Sequence, residues 1–481
     1  MPRANLHLRA PDPAAGVALF AQIANAVADE IRSGRLARGD VLPGSRSLAR
    51  ELGVDRDTVT AAYTDLEAQG FITTVPRTGT VVADPPRGAR PRRGFARQLG
   101  FALDHGPPAI DAQPDPGSAI MLSAGVPDLR LVPGELVARA YRRAMRRHPR
   151  AALGYTTAAS GHVRLRSALA HLVRDARGIA ASPDDVMITR GSQMALDLVA
   201  RAIVRPGDVV CVEALGYRAA WAALERAGAR LVGIPVDAGG IDVDAFAAIC
   251  ERTAVRMLYV TPHHQYPTTV VLSAGRRMKL LALARKHRIA VLEDDYDHEF
   301  HYEGRPVLPL ASMDPDGVVV YIGTLSKVLA PGLRLGFVVA PRPLIERLAR
   351  ERFLIDRQGD QVLELAIAEL IEDDELGRHI RKMRRIYHAR RDALAGALRE
   401  HLGDRLVFHT PTGGITLWAE TAPSIDVDRW CKRARDLGVV FQPGSAFCLV
   451  PRRLPAVRFG YGASTEAELR LAARRLAACL R

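Results

Sequence analysis

From residue 119 onward, apolar and largely β-branched runs such as VVCVEA, RMLYVT, IAVLEDD and VVVYIG alternate with amphipathic stretches such as RRMKLLALARKH. That alternation constrains the fold more than any other feature of the chain. Strands that are apolar along their whole length need cover on both faces, and helices between successive strands supply it. The expectation for residues 119–481 is therefore a parallel α/β sheet with helices on both sides. No segment recurs at a period of 20 to 50 residues, which excludes a solenoid. At 481 residues the chain also exceeds what one core usually serves, so a second domain is expected.

The first 84 residues read differently. Leu19, Ile23, Val27 and Ile31 recur at steps of four and place one apolar stripe on a helix ending near Ser33 and Gly34. In LPGSRSLARELGV, Pro43 and Gly44 break the chain, Ser45 is placed to cap a second helix, Leu48 and Leu52 share its inner face, and Gly53 stops it. Asp55 then caps a third helix with Val59, Tyr63 and Leu66 inward. Two short helices joined by a tight glycine turn make a helix-turn-helix. The segment FITTVPRTGTVVA alternates, turns at Pro76 to Gly79 and alternates again, which reads as a two-stranded wing.

Residues 85–118 are rich in Pro, Gly and Arg and have linker composition, with Arg87, Arg90, Arg92 and Arg93 as candidate phosphate contacts or a solvated tether. The net charge of +14 suggests a polyanionic partner, but residues 1–84 hold nine Lys or Arg against ten Asp or Glu. Global charge is therefore weak support for nucleic-acid binding. The five cysteines are scattered and never spaced C-x-x-C, which argues against a disulfide framework and against a zinc site; no metal is expected. MPRANLHLRAPDP lacks an apolar core of the secretory kind, and no run of 18 apolar residues occurs, so a cytoplasmic protein with no membrane partner is expected.

Within YIGTLSKVLAPGLRLGF, Lys327 follows a strand end, where an α/β sheet holds its ligand, and burial there would turn its amine into a nucleophile. A Schiff base with pyridoxal phosphate needs a carboxylate for the ring nitrogen, a hydroxyl for the ring oxygen, a phosphate cradle and an aromatic cover. VLEDDYDHEF offers Asp294 and Tyr296 past a buried strand. RGSQMALDLVA offers Ser192 and Gln193 at the start of a helix whose free N–H groups suit an anion. Thr324, Ser326 and Arg334 bracket Lys327 and can complete the cradle, and Tyr217 is the candidate lid. Taken singly, EDD reads as a solvated strand end, Ser192 as a helix cap and Lys327 as a surface lysine. Their shared place at strand ends points to one site, and the order phosphate loop, aromatic, acid, lysine and late arginine resembles that of fold-type I pyridoxal phosphate enzymes.

With a winged head, a linker and this body in one chain, the sequence resembles the MocR/GabR family, GntR-type regulators fused to an aminotransferase-like domain. LARGDVLPGSRSLARELGVDRDTVTAAYTDLEAQGFI carries the head pattern and SKVLAPGLRLGFVVAP the lysine motif, with GVPDLRLVP, TPHHQYPTT, EDDYDHEF, PGSAF and VRFGYG between and after them. The resemblance implies a multidomain chain. Residues 1–84 would be the winged helix-turn-helix and 119–481 a fold-type I transferase domain with a small C-terminal α+β subdomain. It implies pyridoxal 5'-phosphate on Lys327, Asp294 on its nitrogen, Tyr296 on its phenolic oxygen, and Ser192, Gln193, Ser326 and Arg334 on its phosphate. It also implies a homodimer in which Tyr155 reaches the phosphate of the partner subunit, and an effector site at Gly125 and Arg458, the latter taking a carboxylate. Tyr266 stands where aminotransferases carry an asparagine, and Leu215 where a proline is usual before the lid Gly-Tyr.

For DNA, Arg46 beside Ser45, Arg56 with Asp57 and Thr58, and Arg77 with Gly79 at the wing tip are the candidate contacts. Asp57 would repel phosphates unless it accepts from a cytosine amino group. One head offers few positive charges, so two heads of a homodimer on two half-sites of double-stranded DNA are expected. Three readings remain open. The first is a transcriptional regulator that senses pyridoxal phosphate, an amine or an amino acid; the second is a working aminotransferase with a DNA-binding appendage. In the third, the large domain only dimerises.

Overall fold

The computed structural model of the protein describes residues 6, 8–83, 101–102, 119–123, 125–156, 158–304 and 307–480. Apart from Phe101 and Ala102, the 85–118 stretch read as linker, with Arg87, Arg90, Arg92 and Arg93, lies outside the described residues. The chain divides into two compact units, Met1–Gly106 and Pro107–Arg481.

In the first unit, helices α1 (Leu19–Arg32), α2 (Ser45–Leu52) and α3 (Arg56–Ala68) precede an antiparallel hairpin of β1 (Ile72–Val75) and β2 (Gly79–Val82). Ile23, Val27 and Ile31 are buried as their spacing requires, while Leu19 at the open end of α1 is half-buried. Leu48, Val59, Ala62 and Leu66 close the core between the helices. The Tyr63 hydroxyl donates to the carbonyl of Pro43 at 2.7 Å and ties α3 to the turn before α2. Gly53 ends α2 at φ 67°, a left-handed conformation that glycine adopts without steric cost. The cap of α2 is a correction: extended Gly44 occupies the cap position, Ser45 is the first helical residue, and no side chain caps the helix. Asp55 does sit at the cap of α3, through its backbone carbonyl, which accepts from Thr58 N at 3.1 Å.

The second unit is built on a seven-stranded sheet, from β3 (Val186–Thr189), β4 (Val209–Glu213), β5 (Arg230–Ile234), β6 (Val255–Val260), β7 (Ala290–Asp295), β8 (Val319–Thr324) and β9 (Gly336–Val339). Their spatial order is β3-β9-β8-β7-β6-β4-β5. The sheet is mixed rather than parallel, because β9 runs antiparallel to both β8 and β3. The connection from β8 to β9 is too short for the dozen or more residues that a parallel crossover needs, so the chain folds straight back. Burial along β4, β7 and β8 is nearly continuous, as expected for strands covered on both faces.

A C-terminal four-stranded antiparallel sheet runs in the order Leu406–Val407, Thr416–Thr421, Ala456–Gly460, Gln442–Pro443. Helices Glu375–Leu402 and Glu466–Ala478 share its core with Leu417, Trp430 and Phe459. This is the expected α+β subdomain. All five cysteines are free thiols. Among the described residues, no helix is long and apolar enough to cross a membrane.

Candidate functional site

The carboxyl ends of β3, β4, β6, β7 and β8 bring together residues far apart in sequence, at the edge where open α/β sheets bind ligands. Asp294 is the penultimate residue of β7 and is 5% exposed. Its Oδ2 accepts the hydroxyl of Tyr259, on neighbouring β6, at 3.0 Å, while its Oδ1 is buried with no hydrogen-bond partner. Burial pushes this carboxyl up to about 7; the Tyr259 bond and nearby Lys327 oppose the shift, and Asp295 adds to it. A buried carboxylate oxygen without a donor is costly, and a protonated ring nitrogen is the kind of donor that would satisfy it.

Lys327 lies in the turn after β8. Burial and the positive charge of Arg458 lower its amine to about 8, against the pull of Asp297 and Asp294. The sequence placed the lysine correctly at a strand end, and the structure adds that the three charged groups act on it from different elements. Thr324, also predicted for the cradle, is 3% exposed and turned into its own loop, where Oγ1 accepts from Ser326 N at 3.1 Å. Ser326 is half-buried beside it.

The residues expected to form a phosphate cradle gather at the start of α4 (Gly191–Ile203). Gly191 has φ 73°, and a Cβ there would meet Arg334 Nη2 at 3.0 Å. A Cβ on Gly336 would lie 2.8 Å from the carbonyl carbon of Gly191. Glycines at both places let β9 and the Arg334 guanidinium approach the helix start closely. Arg334 itself has φ 50° and donates from Nη2 to the carbonyl of Arg190 at 3.1 Å. Ser192 follows in the first turn, half-buried. Gln193 is partly committed elsewhere, since its amide donates to the Ala219 carbonyl at 3.0 Å and its Oε1 is buried without a partner.

Tyr217 opens helix α5 (Arg218–Arg226), and its ring stands edge-on to Tyr266 at 5.5 Å. Tyr266 also meets the rings of Tyr296 at 5.9 Å and Phe447 at 5.5 Å, and the Arg458 guanidinium lies 4.3 Å above it. Tyr296 donates its hydroxyl to the backbone carbonyl of His264 at 2.9 Å. Arg458, on strand Ala456–Gly460, is 2% exposed with Nε unpartnered, and a Cβ on Gly125 would come within 3.4 Å of its Nη2. A buried arginine with open donors and a glycine beside it is a ready receptor for a carboxylate. Tyr155 stands apart, 83% exposed with the Arg357 guanidinium 4.3 Å from its ring.

Sequence reasoning missed Tyr259, which reads as core in RMLYVT, and Asp297, which acts on Lys327 from three residues past Asp294. No signal in the chain pointed to Tyr259, because its bond to Asp294 depends on the register of β6 against β7.

In the first unit, Arg46, Arg56, Asp57 and Arg77 are exposed, with Ser45 and Thr58 half-buried beside them. Arg77 at φ 67° and Gly79 at φ 106° form the hairpin tip. Among the described residues neither Arg46 nor Arg56 is ion-paired with Glu51 or Asp55, while Arg32 and Arg35 are held by Asp29 and Glu30.

Residues 119–476 match the family Aminotransferase class I and II, and residues 19–82 match Bacterial regulatory proteins, gntR family. The chain is 32% identical over 436 residues to the Probable rhizopine catabolism regulatory protein MocR of Rhizobium meliloti, covering 90% of this chain and 87% of that protein. It is 33% identical to Aromatic-amino-acid aminotransferase 1 of Thermococcus litoralis, over 74% of this chain and 87% of that protein. Among solved structures, a kynurenine aminotransferase of Pyrococcus horikoshii, in complex with PMP, superposes with a TM-score of 0.71 at 31% identity, covering 76% of this chain and 91% of that one. These matches imply pyridoxal phosphate as cofactor, and the unpartnered Asp294 Oδ1 suits it. The chain belongs to the aminotransferase class I and II family and, with its GntR-type head, shares the two-domain architecture of MocR.

Proposed function

We propose that this chain is a transcriptional regulator in which the winged head binds operator DNA and the large unit, holding pyridoxal phosphate on Lys327, senses an amine or amino acid. The observation that carries the reading is the buried, unpartnered Oδ1 of Asp294 in one site with Lys327 and Arg458, in a chain that also has a GntR head. When bound, the cofactor supplies a carbonyl with which a primary amine condenses and a ring that accepts electron density. Asp294 holds the positive charge of the ring nitrogen. Gly191, Ser192, Ser326 and Arg334 would hold the phosphate, Tyr217 would cover the ring, and the Tyr296 hydroxyl, now on the His264 carbonyl, would serve the ring oxygen. Lys327 would be freed as the incoming amine takes its place and could then hold or move a proton beside it, and Arg458 would hold the effector's carboxylate.

A homodimer completes the arrangement. Tyr155, Leu153, Phe353, Leu354 and Ile355 are all exposed, with the Arg357 guanidinium against the rings of both Tyr155 and Phe353, and a second copy would cover these apolar side chains. Two heads on two half-sites then supply the affinity that one lightly charged head lacks.

The test is borohydride reduction of the purified holoprotein followed by peptide mapping. A pyridoxyl group on Lys327, together with DNA retention that changes when the effector is added, is the expected result. A label on another residue refutes the assignment. Turnover as an aminotransferase is the second reading, favoured by the likeness to Aromatic-amino-acid aminotransferase 1. Against it, the Tyr266 ring fills the space beneath Arg458 and beside Tyr217 and Tyr296. Multiple-turnover transamination at a substrate-saturated rate separates the two.

A further inference from the structure

The loop after β6 and the segment after β7 bring four imidazoles together, and the chemistry proposed above uses none of their ring nitrogens. His263 and His264 are 3% and 2% exposed, with ring centroids 4.3 Å apart; His298 lies 4.8 Å and His301 6.4 Å from His263. His264 Nδ1 faces Asp297 Oδ1 at 2.8 Å, and His263 Nδ1 faces the carbonyl of Val307 at 3.1 Å. An acceptor at Nδ1 calls for the proton there, so each ring leaves Nε2 with a free lone pair. His263 Nε2 is buried without a hydrogen-bond partner. Both ring nitrogens of His301 are likewise buried without a hydrogen-bond partner, the backbone of Glu303 being close by. Beside His264 Nε2 stands Gly413, where a Cβ would come within 2.6 Å of that nitrogen. One nitrogen from each of His263, His264 and His301 lies within 4.8 Å of the other two.

We propose that His263, His264 and His301 form a binding site for a borderline divalent transition-metal ion such as zinc. Unprotonated imidazole nitrogens are the donors such ions prefer, whereas magnesium and calcium take oxygen. Three protein ligands also leave a coordination position for water. His264 has the carboxylate backing that commonly orients a metal-binding histidine, supplied by Asp297. The other grouping, His263 with Asp295 and His298, is less suited. Asp295 Oδ2 lies 2.9 Å from His298 Nδ1 and accepts the Tyr321 hydroxyl at 2.8 Å, so its donors are already paired with one another. The ion would pin the loop after β6 to the segment after β7, the two segments joined by the bond from Tyr296 to the His264 carbonyl.

Cobalt titration of the full-length holoprotein, after dialysis against a chelator, tests the site through the visible ligand-field bands of the bound ion. One Co2+ per chain is expected, displaced by equimolar Zn2+ and unaffected by Mg2+. His263→Gln and His301→Gln should each weaken cobalt binding by more than about tenfold while keeping the cofactor absorbance, which reports an intact fold. A ratio well below one ion per chain, or an affinity unchanged in both variants, overturns the proposal.

Discussion

Tyr259→Phe removes a single oxygen, the hydroxyl that donates to Asp294 Oδ2 at 3.0 Å inside the sheet, and leaves the ring and its packing in place. The hydroxyl supports the ionised carboxyl more than the neutral one. A hydrogen bond to a charged group contributes about 1.5–3 kcal/mol net and a neutral one about 0.5–1.5, so the difference is about 1–1.5 kcal/mol. That equals about one pH unit in the carboxyl's titration and a tenfold change in any equilibrium that needs the anion. In the apoprotein burial holds Asp294 at about 7, so affinity for the protonated cofactor ring should be low below pH 7 and rise as the pH passes through that value. The variant should bind pyridoxal phosphate about fivefold more weakly at pH 7 and about tenfold more weakly well below it, with the rise displaced about one unit upward. Visible absorbance during titration of the apoprotein at several pH values measures both effects. If the dissociation constant stays within twofold of wild type throughout, while circular dichroism shows a native fold, Asp294 is not the anion on which binding depends.

Four further outcomes are expected. Because Lys327 sits at about 8 rather than near its usual 10.5, its neutral fraction and the rate of cofactor attachment should climb from pH 6 to about 8 and level above it; a rate still rising tenfold per unit beyond pH 9 contradicts the lowered amine. Arg458→Ala should leave cofactor binding intact and suppress the spectral response to amino acids by about tenfold or more, read in the same absorbance bands. Arg46→Ala should weaken binding to all DNA sequences alike and reduce the salt slope by about one, as measured by fluorescence anisotropy across ionic strengths. Leu354→Asp, at a position 82% exposed, should leave the unit folded but shift sedimentation toward monomer and lower operator affinity; a dimer of unchanged stability places the interface elsewhere.

Local signals carried the head well, because its features are short-range. A four-residue apolar step found α1, and Gly53 marked the end of α2. The error at Ser45 is local too: Gly44 is extended at the cap position, and the hydroxyl of the next residue is left inside the first turn. In the large unit, the places of Lys327, Asp294 and Ser192 at or just past strand ends were legible, because strand ends are legible. What could not be read was anything that depends on which strands are neighbours. Tyr259 reaches Asp294 only because Leu292 pairs with Tyr259 in the parallel register of β7 and β6. The three histidines are separated by up to 38 positions between His263 and His301, and nothing in TPHHQYPTT or DHEFHY marks them as facing one another.

The reversal at β9 has a consequence for how this site can change. An all-parallel sheet would have separated the residues after β8 from the next strand by a helix. Here Leu325 N bonds to the Leu335 carbonyl at 3.1 Å, so the amine of Lys327 and the guanidinium of Arg334 hang from one small ring of backbone. Most loops of an α/β protein accept insertions freely, since their two ends are anchored independently. This one is a closed clasp, and lengthening it by even a residue or two would alter the span between its two cations. Replacing the lysine would leave the clasp closed and the Arg334 guanidinium where it is, against the Arg190 carbonyl.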